Sequence, residues 1–382
     1  MKDKNFKFIE IMFFFSGIVF YAPVAMLIRT GRGISISQFL ILQAIVSFSI
    51  LFFEIPLGCL TDRIGYKYSM ILSSFFILVA RFFLLFANSF YVFAFESFLE
   101  GICFAFSSGT ISSYLYVVFG EENFAKRSSI LQNFSSVGFI VSTVGFFFIN
   151  KYMNIDYLIM YTIFANITSL IFCFLIPKEK SLEEAEEINK NYILKLLNKN
   201  TFKFIIINSI LSLSTILINF FYVVIIEKIG LKSENLMFVI LAYTFFELLA
   251  YKIIEIFNEK NLTRNTFVFS LICGVLFLVI PFLKTYVVLV FMVLLPLMLS
   301  VLGTYVEKLE NMYVDTIKSN KRASLLSIFS MGANGMDVCF LFVSSNIIDN
   351  NFSNLFLFVA ILFFLVGGYF AFKNTKKIGL QN

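Results

Sequence analysis

Neither histidine nor tryptophan occurs in the 382 residues. Without imidazole, metal ligation and proton relay lose their commonest side chain, so any proton traffic must run on carboxylates. Cysteine is scarce too. Cys59, Cys103, Cys173, Cys273 and Cys339 are scattered through apolar stretches with no C-x-x-C spacing, which excludes a disulfide framework and a thiolate metal site and marks them as small core residues. Charged residues make up only 14%, against roughly 25% in soluble domains. There is no Gly-x-Ser-x-Gly, no glycine-rich phosphate loop and no carboxylate cluster outside the polar stretch from Lys178, so the chain is expected to be neither an enzyme nor a nucleotide-driven pump, with no cofactor and no metal.

Hydrophobic residues, at 59%, are what the chain has in abundance. The 54 phenylalanines accompany plentiful Ile, Asn and Lys, a skew that AT-rich coding explains, and they carry no functional weight here. Apolar stretches of about twenty residues read as helices that cross a bilayer. Twelve are expected, at 8 to 28, 37 to 57, 69 to 87, 90 to 118, 129 to 149, 154 to 177, 202 to 226, 234 to 256, 265 to 283, 285 to 306, 322 to 347 and 351 to 372. The ninth and tenth are divided only by Lys284 and Thr285; fusing them would leave eleven and put the termini on opposite sides. Charge favours twelve. With a cytoplasmic N-terminus, 23 Lys and Arg lie in inner segments, the outer loops hold Arg29, Arg32, Lys151, Lys228, Lys232 and Lys284, and Arg81 lies deep in a span. Both termini are therefore expected in the cytoplasm of a multi-pass protein of the cell membrane. Residues 8 to 28 are too long for a signal-peptide core and lack a small-residue cleavage site.

The chain also repeats itself. Phe52, Phe53 and Glu54 reappear 193 residues downstream as Phe245, Phe246 and Glu247, and the same shift takes Asp62 to Glu255 and Lys67 to Lys260. KRSSILQNFS from Lys126 returns 195 residues later as KRASLLSIFS from Lys321, with six of ten positions identical. Both offsets are close to half the chain, which indicates a duplicated unit in the same orientation. The expected organisation is a six-helix bundle at 1–177, a polar cytoplasmic linker at 178–201 and a second six-helix bundle at 202–382. Within the linker, Tyr192, Ile193, Leu196 and Leu197 can lay a short apolar face on the inner leaflet.

The segment EIPLGCLTDRIGYK from Glu54 resembles the loop signature of the major facilitator superfamily, G-x-L-x-D-R-x-G-[RK]-[RK], through Gly58, Leu60, Asp62, Arg63, Gly65 and Lys67, with Tyr66 departing from it. EGICFAFSSGT from Glu100 and RAS from Arg322 are similar to bacterial members regarded as small-molecule exporters. The resemblance implies a secondary carrier that alternates access, with a small-molecule substrate, the lipid bilayer as its surroundings, protons as coupling ion and no nucleic-acid partner, working as a monomer. It also implies that Asp62 meets the start of the eleventh span, where Lys321 and Arg322 stand. Gly58 and Gly65 would allow a tight turn, and Asp62, Arg63 and Lys67 would supply charges of an inner gate. The repeat adds a mirrored contact of Glu255 with Lys126 or Arg127.

Charges at membrane depth are costly and face a cavity or a partner. Glu54, Arg81, Glu96, Glu100, Glu247 and Asp337 form that set. Arg81 and Glu96 share a depth, and Glu96 and Glu100 share a helix face. The reading is that Arg81 pairs with one glutamate while Glu100 stays free as a proton or cation site, with Asp337 and its neighbour Asn334 as second candidate. Glu54 and Glu247 are two-fold mates expected to brace the gate against Arg322 and Arg127, beside a kink at Pro56. Gly101, Ala105, Ser107, Ser108, Thr110, Ser112 and Ser113 read as a tight packing stripe, with cavity lining as the alternative. Asn208, Asn219 and Tyr21 are weaker candidates for ligand hydrogen bonds. Two features of proton-driven exporters are absent: Ser97 stands where an arginine precedes the glycine of the fourth span, and residues 129 to 149 contain no Gly-Pro pair. An importer, a facilitator of nutrients or lipids, or a sensor on the same scaffold are the alternatives.

Overall fold

Hydrocarbon offers a backbone amide no partner, so apolar chain closes its hydrogen bonds within helices. The computed structural model describes residues 2–119, 121–179, 199–247, 250–257, 261–283, 285–316, 322–347 and 352–371. Among these, all regular structure is helical. The first half runs α1 (Lys2–Ser16), α2 (Ala25–Gly31), α3 (Ile36–Ile64), α4 (Tyr66–Phe86), α5 (Phe90–Ser107), α6 (Thr110–Phe119), α7 (Glu121–Tyr152) and α8 (Asp156–Leu175). The second runs α9 (Lys199–Lys228), α10 (Leu236–Glu247), α11 (Ala250–Ile256), α12 (Leu262–Val279), α13 (Val287–Thr316), α14 (Arg322–Ile347) and α15 (Phe352–Ala371). Nine helical stretches among the described residues are long and apolar enough to cross a bilayer. Packing divides the chain into two units, Met1–Glu187 and Ile188–Asn382.

The element order accommodates twelve crossings. The ninth and tenth expected spans are separate helices, α12 and α13, with a 3-10 turn at Ile280–Phe282 containing Pro281 between them. Two expected spans are not continuous. Residues 8 to 28 split into α1, which stops at Ser16, and α2, and the connection includes a 3-10 turn at Ala22–Val24 in which Pro23 cannot donate to the preceding turn. Residues 90 to 118 split into α5 and α6 at Gly109, whose φ of 69° breaks the helical run. The expected eighth span is α10 and α11 on either side of 248–249, which fall outside the described residues, as does the amphipathic linker segment with Tyr192, Ile193, Leu196 and Leu197.

Within the first unit, α3, α4 and α5 pack together, and α1 packs on α7 and α8. Gly101 on α5 lies directly against the side chain of Ser49 and the carbonyl of Val46 on α3, a contact that any side chain would obstruct. That bears out the packing reading of Gly101. In the second unit α12 packs along α15, with Phe277 stacked on Phe363 at 5.5 Å between ring centroids. There, α9 is fastened to α14 by Ser209, whose hydroxyl donates to the Ala333 carbonyl at 2.9 Å.

Candidate functional site

The loop signature is more helical than its glycines imply. α3 continues through Ile64, so Gly58 lies inside a helix and makes no turn. The turn is Gly65 alone, with φ of 98°, its amide donating to the Thr61 carbonyl at 2.8 Å. Only glycine adopts that backbone without strain, so α3 and α4 are joined through a single residue. The start of α4 leaves amides unsatisfied, and Glu179 from beyond α8 accepts from Tyr66 N and, at 3.2 Å, from Lys67 N. A carboxylate at a helix N-terminus is favourable electrostatically. The Lys67 ammonium donates to the Phe174 carbonyl at 2.9 Å, so Lys67 serves its own bundle. Asp62 and Arg63 are exposed. Lys321 lies outside the described residues, as do the side chains of Arg322, Lys126 and Glu255. Arg127 places its guanidinium 4.2 Å over the Phe6 ring.

A four-charge cluster lies in the first unit. Arg29 Nη2 contacts Glu96 Oε2 at 2.8 Å and Oε1 at 3.0 Å, Arg81 Nη1 donates to Glu96 Oε1 at 3.1 Å, and Arg81 Nη2 donates to Glu100 Oε1 at 2.8 Å. Glu96 is fully buried, and Arg29 and Arg81 are nearly so. Phe39 and Phe93 flank the Arg29 guanidinium at 5.9 and 5.8 Å, and the Tyr21 ring lies 5.3 Å from that of Arg81. Two cations balance two anions, which is how ionised groups persist away from water.

This arrangement corrects two expectations. Arg29 is no outer-loop residue: α2 extends past the expected span end and carries it into the bundle. Glu100 is not free, because Arg81 reaches both glutamates with its two terminal nitrogens. The expected pairing of Arg81 with a glutamate holds.

Below the cluster a cavity of about 330 Å³ lies within the first unit, with Arg81, Ser73, Ser107, Cys103 and Asn166 on its wall. Ser73 and Ser107 lie 2.6 Å apart and each donates toward the Cys103 carbonyl at 3.0 Å. The Ser108 hydroxyl donates to Glu54 Oε1 at 2.9 Å, and Glu54 Oε2 is buried without a partner among the described residues. Glu54 therefore has a hydrogen bond inside its own unit, and the Arg322 side chain that it is expected to brace against lies outside the described residues.

The second unit is different. Asp337 is 4% exposed. Its Oδ2 accepts from Ser212 at 2.7 Å, and its Oδ1 has no partner among the described residues. Asn334 lies one turn away, half-buried. Asn208 does make a hydrogen bond, donating at 2.5 Å to Glu310, a buried carboxylate at the far end of α13 that sequence reasoning missed. A cavity of about 290 Å³ among α9, α10 and α13 has Glu247, Tyr243, Asn219, Thr215 and Ser300 on its wall.

Helices of this length, a duplicated plan and buried carboxyls without an ion pair among the described residues fit a polytopic membrane protein. A sequence model described as Major Facilitator Superfamily matches residues 8–309, and the chain belongs to that family, whose members are transporters and not enzymes. No curated protein matches it in sequence. In structure it is similar to the nucleoside transporter NupG (D323A mutant), with TM-score 0.78 and 12% identity over 98% of this chain and 100% of that one. It is similar also to a D-xylose-proton symporter, with TM-score 0.72 and 12% identity over 98% of each chain. The xylose transporter XylE from E. coli in its inward-open conformation gives TM-score 0.74 and 11% identity over 99% of this chain and 98% of that one.

Proposed function

We propose that this chain is a proton-coupled secondary transporter of a small organic solute, working by alternating access, with Asp337 as the carboxyl that takes up and releases the coupling proton. The observation that carries this is a buried carboxyl with one oxygen unpartnered and no ion pair among the described residues. Binding and losing a proton there changes the local charge by a full unit, with no fixed cation to compensate it. Glu100 is a poorer choice, because Arg81 already balances it. Efflux is the direction supported by the resemblance of EGICFAFSSGT and RAS to exporters. Uptake is the second reading, favoured by the likeness of fold to a protein titled a D-xylose-proton symporter.

The segment from Gly58 to Lys67, together with Lys321 and Arg322, is proposed as the inner gate, with Glu255, Lys126 and Arg127 as its two-fold counterpart. Exposed Asp62 and Arg63, which make no ion pair among the described residues, support that role. Placement in the cell membrane with cytoplasmic termini rests on the distribution of Lys and Arg, and burial of Arg29 strengthens the bias by removing one cation from the outer count.

The test is flux of a panel of labelled nutrients and antimicrobial compounds in pump-deficient bacteria expressing the wild type or Asp337→Asn, with and without a protonophore. Protonophore-sensitive depletion or accumulation of a compound in the wild type, lost in Asp337→Asn at equal membrane abundance, is expected. Flux unchanged in Asp337→Asn would remove Asp337 from the coupling role.

A further inference from the structure

Among the described residues on the wall of the second unit's cavity, Glu247 is the one that carries a charge. It is the last described residue of α10, has no ion-pair partner among the described residues and is only partly open to solvent. A carboxylate so placed is stabilised by whatever positive charge enters the cavity.

Its surroundings narrow what that charge can be. Tyr243 precedes Glu247 by four residues, hence lies on the same helix face, and it makes a T-shaped contact with Tyr222 at 6.5 Å between ring centroids and 76° between ring planes. An aromatic π face beside a carboxylate attracts a cation twice over, by the ring quadrupole and by direct Coulomb attraction. Leu211, Ile218 and Leu299 give the wall apolar area that suits a carbon framework. A bare metal ion is a poor fit, because hard cations need several carboxylate or carbonyl oxygens together, and among the described residues no three metal-ligating acids, histidines or cysteines gather. An anion would meet Glu247 with like charge.

We propose that this cavity binds a small monovalent organic cation, an amine or quaternary ammonium with an apolar framework, held between Glu247 and the Tyr243 ring. The cavity volume falls near the low end of the range known for small-molecule sites, about 300 to 1,000 Å³, which restricts the occupant to a compact molecule. This names the substrate class of the carrier and rests on the carrier reading only for the step from binding to transport.

Equilibrium binding separates the two. Radiolabelled phenyltrimethylammonium would be titrated onto the purified full chain in lipid nanodiscs, with its uncharged isostere tert-butylbenzene as competitor. Saturable binding is expected, weakened at least tenfold by Glu247→Gln, weakened less by Glu247→Asp, reduced by Tyr243→Leu but kept in Tyr243→Phe, and indifferent to tert-butylbenzene. Equal affinity in Glu247→Gln, effective competition by the neutral isostere, or no saturable binding to the wild type would each overturn the proposal. Because the measurement involves no flux, cation binding without proton-coupled transport would count against the Asp337 reading alone. Proton-coupled flux of another solute without cation binding would count against the cation site alone.

Discussion

The two halves of the chain come from one repeated plan and treat charge at membrane depth in opposite ways. In the first unit Arg29, Arg81, Glu96 and Glu100 neutralise one another through contacts of 2.8 to 3.1 Å. The helices that correspond to α4 and α5 by order, α12 and α13, carry no charged residue between 265 and 279 or between 287 and 306. The second unit instead keeps Asp337 and Glu247 without an ion-pair partner among the described residues. The residue 195 positions before Asp337 is Ser142, whose hydroxyl donates to the Phe139 carbonyl. Glu54 and Glu247 are the common element, two-fold mates that each lack a cation among the described residues. A neutralised cluster fixes geometry, whereas an unpaired carboxyl can exchange its partner. On the function proposed above, the first unit is scaffold around the cluster and the second handles protons and solute.

That contrast makes unequal demands on mutants. The largest effect expected is loss of protonophore-sensitive flux in Asp337→Asn with little loss of stability, within about 1 kcal/mol, since the amide still accepts from Ser212. Glu96→Gln should do the reverse, lowering stability by about 3 to 5 kcal/mol, because it strands Arg29 and unbalances Arg81. Thermal unfolding in nanodiscs reads both, and equal losses would erase the distinction between the units. Gly65→Ala should cost about 1 kcal/mol or more, through a left-handed backbone that alanine resists. Glu179→Gln should cost about 1 kcal/mol, by weakening the cap on α4, and no change in melting would mean the cap contributes nothing.

Much of this was legible in the sequence because bilayers impose strong rules. Span length, loop charge and the repeat of Glu54 as Glu247 depend on local composition, and the depth argument brought Arg81 to Glu96. The misses are also physical. A cation near a span end normally belongs in water, and nothing local to Arg29 shows that α2 continues inward to meet Glu96, 67 residues away. Once Arg29 joins Arg81, Glu100 loses its freedom, so one missed contact produced the second error. Gly58 matched a signature as a turn residue, yet the helix runs on through Pro56 and Gly58 to Ile64. Glu179 falls in the polar stretch after the sixth span, and its capping role depends on where α8 ends relative to α4.

The central claim is that proton exchange resides on Asp337 and not on the charge cluster. Infrared difference spectra of the full chain in nanodiscs, recorded across a pH step, would resolve the carbonyl stretch of protonated carboxyls in the wild type, Asp337→Asn and Glu100→Gln. The account predicts a pH-dependent band that vanishes in Asp337→Asn and persists in Glu100→Gln. A band that survives in Asp337→Asn and is lost in Glu100→Gln would contradict it.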